Sequence, residues 1–89
     1  MTEKKMLIMD PADNVGVLLE DAAAGDVCSN GDIRVIALED IEFCHKIALC
    51  DLQSGENAIK YGQKIGYISS FTKKGQWVHR HNLLSERGR

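Results

Sequence analysis

The sequence predicts a compact, mainly β domain made of short strands and tight turns. Its apolar stretches are brief, rich in β-branched residues and separated by turn-forming residues, which is the pattern of strands joined by turns. Helical periodicity is scarce, and one turn-like segment recurs along the chain. These observations favour a small all-β domain over a regular sandwich, whose strands would be longer and would alternate.

The candidate strands are short apolar runs. In chain order they are KMLIM, NVGVLL, IRVIAL, HKIAL, NAIKYG, KIGYISS and QWVHRHN. Pro11, the only proline, follows the first run and predicts a turn at that point. The segment NVGVLLEDAAAGD is the one place where we expect a short helical turn, through its alanines.

A turn with a common frame recurs between the strands. It is found at DAAAGDVC (21–28), DIEFCHKI (40–47) and DLQSGENA (51–58), and more loosely at FTKKGQWV (71–78). We expect each Asp to hydrogen-bond its own backbone two residues on. The apolar residue after it should tuck under the sheet as a plug, and the glycine should supply a backbone shape that a Cβ resists.

Cys44 occupies the position at which the other copies have Gly25, Gly55 and Gly75. If that position needs a positive φ, a cysteine there costs about 1–2 kcal/mol. We therefore expect the turn at 40–47 to take a different shape. Asp40 and Asp51 are better explained as turn residues than as catalytic carboxylates.

The length and charge of the chain limit its functions. With 89 residues it should form one domain, and a domain of this size buries only about 60–65% of its unfolded surface. A small domain that completes a site on a larger partner is at least as plausible as a complete enzyme. The net charge of −2 argues against a nucleic-acid binder, and Lys73, Lys74 and the tail SERGR are solvated charge.

Membrane and zinc functions find little support. The runs GVLL and MLIM fall far short of the roughly 20 residues that span a bilayer, and MTEKK has no apolar segment behind it to make a secretory signal. Cys28, Cys44 and Cys50 form no CxxC pair, which favours reduced cytoplasmic thiols. A zinc site from Cys44, His45 and Cys50 would match no common spacing.

The segment WVHRHNLL (77–84) carries two histidines one residue apart. On a strand, His79 and His81 would share a face about 7 Å apart, with Arg80 on the other face. Two imidazoles aimed at one cleft could bind metal, substrate or both. The alternative is an exposed or partner-facing pair on an edge strand. Trp77 should belong to the core or anchor a partner.

Three motifs in order resemble a known family. DIEFCHKIAL, GENAIKYGQKIG and GQWVHRHNL are similar to the small SAF-type domain of the altronate and galactarate dehydratases. The same domain occurs as the small subunit of altronate dehydratase-like enzymes and of sulfolactate sulfo-lyase. The resemblance is best over residues 40–83 and implies a single SAF-like domain over 1–89, with a flexible tail at 84–89. The family usually has glycine where this chain has Cys44.

The resemblance implies a β-clip fold, which is a long bent β-hairpin structure folded over itself. It also implies a cytoplasmic role in sugar-acid breakdown, as the small subunit or N-terminal domain of a dehydratase. The partner would be a large catalytic subunit or domain, a homo-oligomer is compatible, and the chain is not expected to be active alone.

A sugar-acid dehydratase removes a proton next to a carboxylate and expels the neighbouring hydroxyl. The charge that develops needs a nearby cation and a general acid, and the resemblance implies a divalent metal, iron or manganese. We assign His79 and His81 as catalytic groups and metal ligands, with His45 as a third catalytic candidate. Asn82 and Lys46 are candidate substrate ligands. The alternatives are a backbone-orienting role for Asn82, a solvated Lys46 and a hydrogen-bonded turn histidine at His45.

Two other functions remain open at this point. One is a non-catalytic module that binds a carboxylated sugar or stabilises its partner, because a fold alone does not select an enzyme. The other is a different reaction within the same family, in which sulfite rather than water is eliminated from a sulfonated hydroxy acid.

Overall fold

The computed structural model describes residues 3–85, and within that range it contains strands and turns but no helix. The strands are β1 Lys4–Leu7, β2 Val15–Leu18, β3 Val27–Asn30, β4 Ile33–Ile36, β5 Lys46–Ala48, β6 Asn57–Lys60, β7 Gln63–Ile68, β8 Trp77–Val78 and β9 Leu83–Leu84. The predicted mainly β class is therefore confirmed. The helical turn expected through the alanines is wrong, because that segment is one of the recurring turns.

The strands form two sheets. The larger has the order β4-β3-β1-β2-β5-β8 and the smaller has the order β6-β7-β9. The pairing of β1 with β3 is parallel, and the other neighbours are antiparallel. The registers Lys46↔Val78 and Ile47↔Trp77 bring the turn before β5 beside the end of β8. This pairing positions the candidate site.

The four recurring turns associate in two pairs. Isolated bridges join Ala22 to Ile41 and Leu52 to Thr72, and all four of these side chains are buried. Ala22, Ile41 and Leu52 are the plug positions that the sequence predicted, whereas in the fourth turn the buried residue is the polar Thr72 and the apolar Phe71 is exposed. Each pair of turns thus has its own small buried contact.

In the three turns that begin with Asp, this residue bonds the paired turn, so the expected bond to its own backbone is wrong. Oδ1 of Asp21 accepts the backbone N–H of Phe43, and Oδ1 of Asp40 accepts that of Ala24. In the same way, Oδ1 of Asp51 accepts the backbone N–H of Lys74. In the turns at 21–28 and 51–58, and also in the turn at 71–78, which has no leading Asp, the N–H two residues on already donates to the sixth side chain of the turn. The bonds are Ala23 to Asp26, Gln53 to Glu56 and Lys73 to Gln76.

Cys44 adopts the left-handed backbone of the glycines that it replaces. Its φ is 72°, compared with 96°, 93° and 94° at Gly25, Gly55 and Gly75. The turn at 40–47 also keeps the backbone bond of the other copies, from the N–H of His45 to the carbonyl of Glu42. The expectation of a different turn shape is therefore wrong, because the pairing through Ala22 and Ile41 imposes the common geometry.

The interior consists of two apolar clusters. The first contains Met6, Leu18, Ala22, Cys28, Val35, Ala37, Ile41 and Ile47, with Trp77 packed against it. The second contains Val15, Ala48, Leu52, Ala58, Ile68 and Val78, with Ile65 and Leu83 packed against it. Trp77 and Val78 are neighbours in β8, so this short strand touches both clusters.

The end of the chain is only partly described. The predicted flexible tail, 84–89, begins at Leu84, which the structure places in β9 opposite Tyr67. Residues 86–89 lie outside the described residues. Within residues 3–85, no helix is long and apolar enough to cross a membrane.

Candidate functional site

The three histidines of the chain gather around the indole ring of Trp77. His79 stacks on it, with ring centroids 5.0 Å apart and an interplanar angle of 13°. His81 and His45 lie against it in tilted orientations at 5.1 Å and 5.4 Å. His45 and His79 are themselves 5.2 Å apart. We call these four residues the imidazole–indole cluster.

The cluster brings together all three histidines predicted for the site, but by a different route. Strand β8 ends at Val78, so His79 and His81 belong to a tight turn in which the backbone N–H groups of Asn82 and Leu83 both bond the carbonyl of His79. The expectation that the two imidazoles share one face of a strand is therefore wrong. Their common contact is Trp77, which the sequence analysis had assigned only to the core or to a partner contact.

Asn82 holds the turn that carries His79. It is buried, at 5% exposure, and its Oδ1 accepts the backbone N–H of His79 at 2.8 Å. Its Nδ2 donates to the carbonyl of Trp77 at 2.9 Å and to Oγ1 of Thr72 at 3.2 Å. Both ends of the amide are thus engaged in orienting the backbone, which is the alternative that the sequence left open. A contact with substrate stays a prediction.

A basic cleft lies beside the cluster. It has a volume of about 230 Å³ and is lined by Lys46, Ile65, His79, Arg80, Leu83 and Ser85. Arg80 therefore shares this cleft with His79, and the expectation that it faces the other way is wrong, because the chain turns immediately after β8. The three nitrogen-bearing side chains make this cleft suitable for an anionic group.

The pKa values of Lys46 and His79 in the cleft are lowered first by desolvation and then by neighbouring positive charges. Burial, followed by repulsion from Lys60, lowers the pKa of Lys46. Desolvation also lowers the pKa of His79, with further repulsion from His45, Arg80, Lys46 and His81. His79 is therefore neutral at neutral pH and can accept a proton. A bound anion would relieve the repulsion at both side chains.

A second cleft beside the cluster is acidic. It has a volume of about 340 Å³ and is lined by Asp40, Glu42, His45 and Trp77. The neighbouring Glu39 accepts the backbone N–H of Trp77 through Oε2 at 3.0 Å. Members of the cluster thus line one cleft that favours anions and another that favours cations or hydroxyl groups.

The described residues do not make a complete metal site. Between residues 3 and 85, no three His, Cys, Asp or Glu side chains come close enough to hold one ion. His79 and His81 could supply at most part of a coordination sphere. Burial raises the pKa values of Cys28 and Cys50, so both thiols are protonated at neutral pH and are poor metal ligands.

Sequence reasoning missed Trp77 and Arg80 as members of the site. A signal for the cluster was nevertheless present in the recurring turn. At the sixth position, the other copies have Asp26, Glu56 and Gln76, which accept a backbone N–H of their own turn. The turn at 40–47 has His45 there, and its Nδ1 accepts the indole N–H of Trp77 at 3.0 Å instead. His45 thus breaks the repeated pattern of capping side chains, and this departure is a signal that could have marked His45 as functional.

Comparison with known proteins identifies a matching family and several relatives. Residues 4–86 match the family described as the altronate/galactarate dehydratase SAF domain. Over 70 residues, the chain is 43% identical to the altronate dehydratase of Escherichia coli (strain K12); this covers 79% of the chain and 14% of that protein. The chain therefore spans only a small part of this relative.

Two other relatives are matched over most of their own length. The chain is 40% identical over 58 residues to the (2R)-sulfolactate sulfo-lyase subunit alpha of Paracoccus pantotrophus, covering 65% of the chain and 87% of that subunit. It is 30% identical over 88 residues to the subunit of the same name from Chromohalobacter salexigens, covering 91% of the chain and 94% of that subunit. Similar sequences thus occur both within a longer protein and as a named subunit.

Proposed function

The chain belongs to the altronate/galactarate dehydratase SAF domain family, and from this membership we propose that it is the small subunit or N-terminal domain of a sugar-acid dehydratase. The proposed reaction is loss of water from an aldonic acid to give a 2-keto-3-deoxy acid. The resemblance noted in the sequence is confirmed by the family match, while the substrate and the reaction are part of the proposal. We expect the activity in the cytoplasm, as the cysteine pattern predicts.

The observation that carries this proposal is the imidazole–indole cluster beside the basic cleft. Three imidazoles, the groups best suited to proton transfer near neutral pH, contact one indole ring. The adjoining cleft carries Lys46 and Arg80. A hydroxy acid presents a carboxylate and a hydroxyl a few ångströms apart, so the carboxylate can bind in the basic cleft while the reacting carbons lie near the imidazoles.

Within this proposal, each candidate residue has a distinct task. Lys46 and Arg80 bind the carboxylate, and Arg80 is suited to a bidentate contact. His79, whose pKa is lowered by desolvation and by the neighbouring cations, is neutral and can accept a proton. His81 is more exposed than His79, and we expect it to act together with a group supplied by the partner.

A divalent metal, iron or manganese, stays part of the proposal. It would stabilise the negative charge that develops next to the carboxylate. The described residues cannot hold such an ion by themselves. A metal bound to His79 would occupy the nitrogen that otherwise accepts the proton, so the two tasks of His79 are alternatives. Any metal ligands from His79 or His81 would have to be completed by the partner, and the isolated chain should bind iron and manganese no more tightly than a His79→Ala, His81→Ala variant does.

The partner is proposed to be a large catalytic subunit or domain. Support comes from the relatives, since one is a much longer altronate dehydratase and two are named as alpha subunits. The test is to assay the chain with altronate and a divalent metal, alone and with the large component. Turnover only in the mixture supports a shared site, whereas full turnover by the chain alone would refute it.

Single variants separate the dehydratase component from a non-catalytic module. His79→Ala and His81→Ala should lower kcat of the reconstituted enzyme by about 10²–10⁴-fold, the usual contribution of a general acid or base, without weakening assembly. Loss of assembly with an unchanged kcat would favour the module. Sulfolactate in place of altronate tests the sulfo-lyase alternative, because release of sulfite would identify the leaving group directly.

A further inference from the structure

The hydrogen bond between Trp77 and His45 fixes which nitrogen of His45 carries the proton. Nε1 of a tryptophan is a donor only, so Nδ1 of His45, at 3.0 Å from it, must present its lone pair. A neutral imidazole has one protonated nitrogen. The proton of neutral His45 is therefore on Nε2, and this nitrogen is a hydrogen-bond donor.

The indole that makes this bond is itself held firmly. The backbone N–H of Trp77 donates to Oε2 of Glu39 at 3.0 Å, and its carbonyl accepts Nδ2 of Asn82 at 2.9 Å. The ring stacks on His79 and packs against the first apolar cluster. Because its backbone bonds, the stacking on His79 and the apolar packing all hold the indole in place, it can impose an orientation on the imidazole of His45.

The sequence around His45 also favours a dedicated role. In the three other turns, the side chain at this position caps a backbone N–H of its own turn. His45 instead bonds a side chain 32 residues away. The turn at 40–47 thus lacks the capping bond that a carboxylate or an amide makes at this position. In its place, His45 links its own turn to Trp77 in β8.

We propose that Trp77 is a positioning residue that holds His45 as the Nε2–H tautomer, so that His45 donates a hydrogen bond to an oxygen of the substrate and does not ligate a metal. A neutral imidazole ligates a metal through an unprotonated nitrogen, and Trp77 occupies the only one that His45 has. Metal ligands from this chain are then restricted to His79 and His81. The tautomer follows from the structure alone, whereas the substrate oxygen as acceptor rests on the proposed function.

Nitrogen NMR of the full chain tests the tautomer directly. In mildly alkaline buffer, long-range proton–nitrogen spectra should show His45 protonated on Nε2, with a nitrogen–nitrogen coupling across the bond to Nε1 of Trp77. In Trp77→Phe the coupling should vanish, and the ring should become a mixture of tautomers. Phe71→Leu, a change of an exposed aromatic residue, is the matched control and should leave both signals intact.

Two results would overturn the proposal. One is a proton on Nδ1 of His45 in the wild-type chain, and the other is an unchanged tautomer in Trp77→Phe. Because these spectra need neither substrate nor partner, their failure would leave the proposed dehydratase function untouched. Conversely, a reconstituted enzyme without dehydratase activity would leave the tautomer standing.

The donor role has a second readout in the reconstituted enzyme. A glutamine side chain can place an amide N–H near the position of Nε2, so His45→Gln should keep about 2- to 10-fold more of kcat/KM than His45→Ala, which corresponds to one hydrogen bond. Equal activity of the two variants would contradict a donor at Nε2. Restored metal-dependent activity in His45→Cys would contradict the exclusion of His45 from metal binding.

Discussion

The indole ring of Trp77 and the imidazole ring of His79 lie nearly parallel, 13° apart with 5.0 Å between their centroids. One buried side chain sets this stack, because Asn82 accepts the backbone N–H of His79 and donates to the carbonyl of Trp77. The relative position of the two rings is therefore fixed through the backbone. A change at Asn82 should affect both the stability of the domain and the geometry of the cluster.

The first prediction concerns Asn82. Asn82→Ala should lower the free energy of unfolding by about 1–3 kcal/mol, because it removes these bonds and leaves buried partners unsatisfied. Urea unfolding measures the loss, and the NMR signals of His79 should shift. The control is Asn30→Ala, which removes a half-buried amide that donates to the carbonyl of Met6. If Asn82→Ala cost no more than Asn30→Ala and left the His79 signals in place, the positioning role of Asn82 would be wrong.

The second prediction compares two glycines with the same backbone. Gly55 and Gly75 have φ values of 93° and 94°. A Cβ at Gly55 would meet nothing within 4 Å, whereas at Gly75 it would overlap the carbonyl oxygen of Ile36 and lie 3.1 Å from Leu38. Gly55→Ala should cost only the left-handed penalty of about 1–2 kcal/mol.

Gly75→Ala should cost more than Gly55→Ala, because the turn at 71–78 would have to move away from Leu38, whose backbone N–H bonds the carbonyl of Gly75. Thermal or urea unfolding of the two variants side by side measures the difference. Equal losses would show that the close approach of this turn to the segment after β4 is absent in solution.

The third prediction concerns Cys44, which has a φ of 72° at a position filled by glycine in the other turns. Cys44→Gly should raise the free energy of unfolding by up to about 1 kcal/mol, since relief of the left-handed strain exceeds the added entropy of the unfolded chain. Cys44→Ala is the control and should give no gain, because alanine retains the strain. A gain with alanine equal to that with glycine would assign the effect to loss of the thiol.

These turns show which features the sequence could predict. The frame of Asp, plug and glycine predicted tight turns and the buried positions of Ile41 and Leu52, because local chemistry determines both. It could not predict that Asp21 and Asp40 bond each other's turns. The pairing of two turns is a tertiary contact, and no residue spacing in the sequence indicates which turns will pair.

The candidate site was also predictable only in part. The sequence indicated the three histidines as candidates because of their chemistry, and the structure brings them together. Their common contact with Trp77 could not be predicted, because it depends on the register of β5 with β8 and on the end of β8 at Val78. A strand extended through His81 would have given Arg80 the opposite face, and only the turn brings Arg80 beside Lys46.

The fourth prediction follows from the lowered pKa of His79. Desolvation is the largest cause of the lowered pKa, and repulsion from His45, Arg80 and Lys46 lowers the pKa further. Arg80→Gln should therefore raise the pKa of His79 toward the ordinary value, as measured by NMR titration. Arg34→Gln, which removes an arginine paired with Glu3, should leave it unchanged.

The sign of the associated pH dependence is determined by this shift. Because the pKa of His79 in the folded chain lies below its ordinary value of 6.5, the unfolded chain binds the proton first as the pH falls. The contribution of His79 to stability is complete above the ordinary pKa of 6.5 and is lost as the pH falls from there through the lower pKa of the folded chain. An unchanged or lower pKa of His79 in Arg80→Gln would contradict the close approach of the two side chains.

The last prediction separates binding from chemistry in the basic cleft. If Lys46 and Arg80 hold the substrate carboxylate, Lys46→Gln and Arg80→Gln should each raise KM of the reconstituted enzyme by about 10- to 100-fold, as expected for loss of a charge-assisted hydrogen bond of roughly 1.5–3 kcal/mol. Their kcat values should change little, because the carboxylate contact is equally strong before and during the reaction. Lys73→Gln, in an exposed turn away from the cleft, is the matched control and should behave as wild type. A fall in kcat with an unchanged KM would instead place Lys46 or Arg80 at the reacting carbons, and unchanged kinetics in both variants would move the carboxylate site out of this cleft.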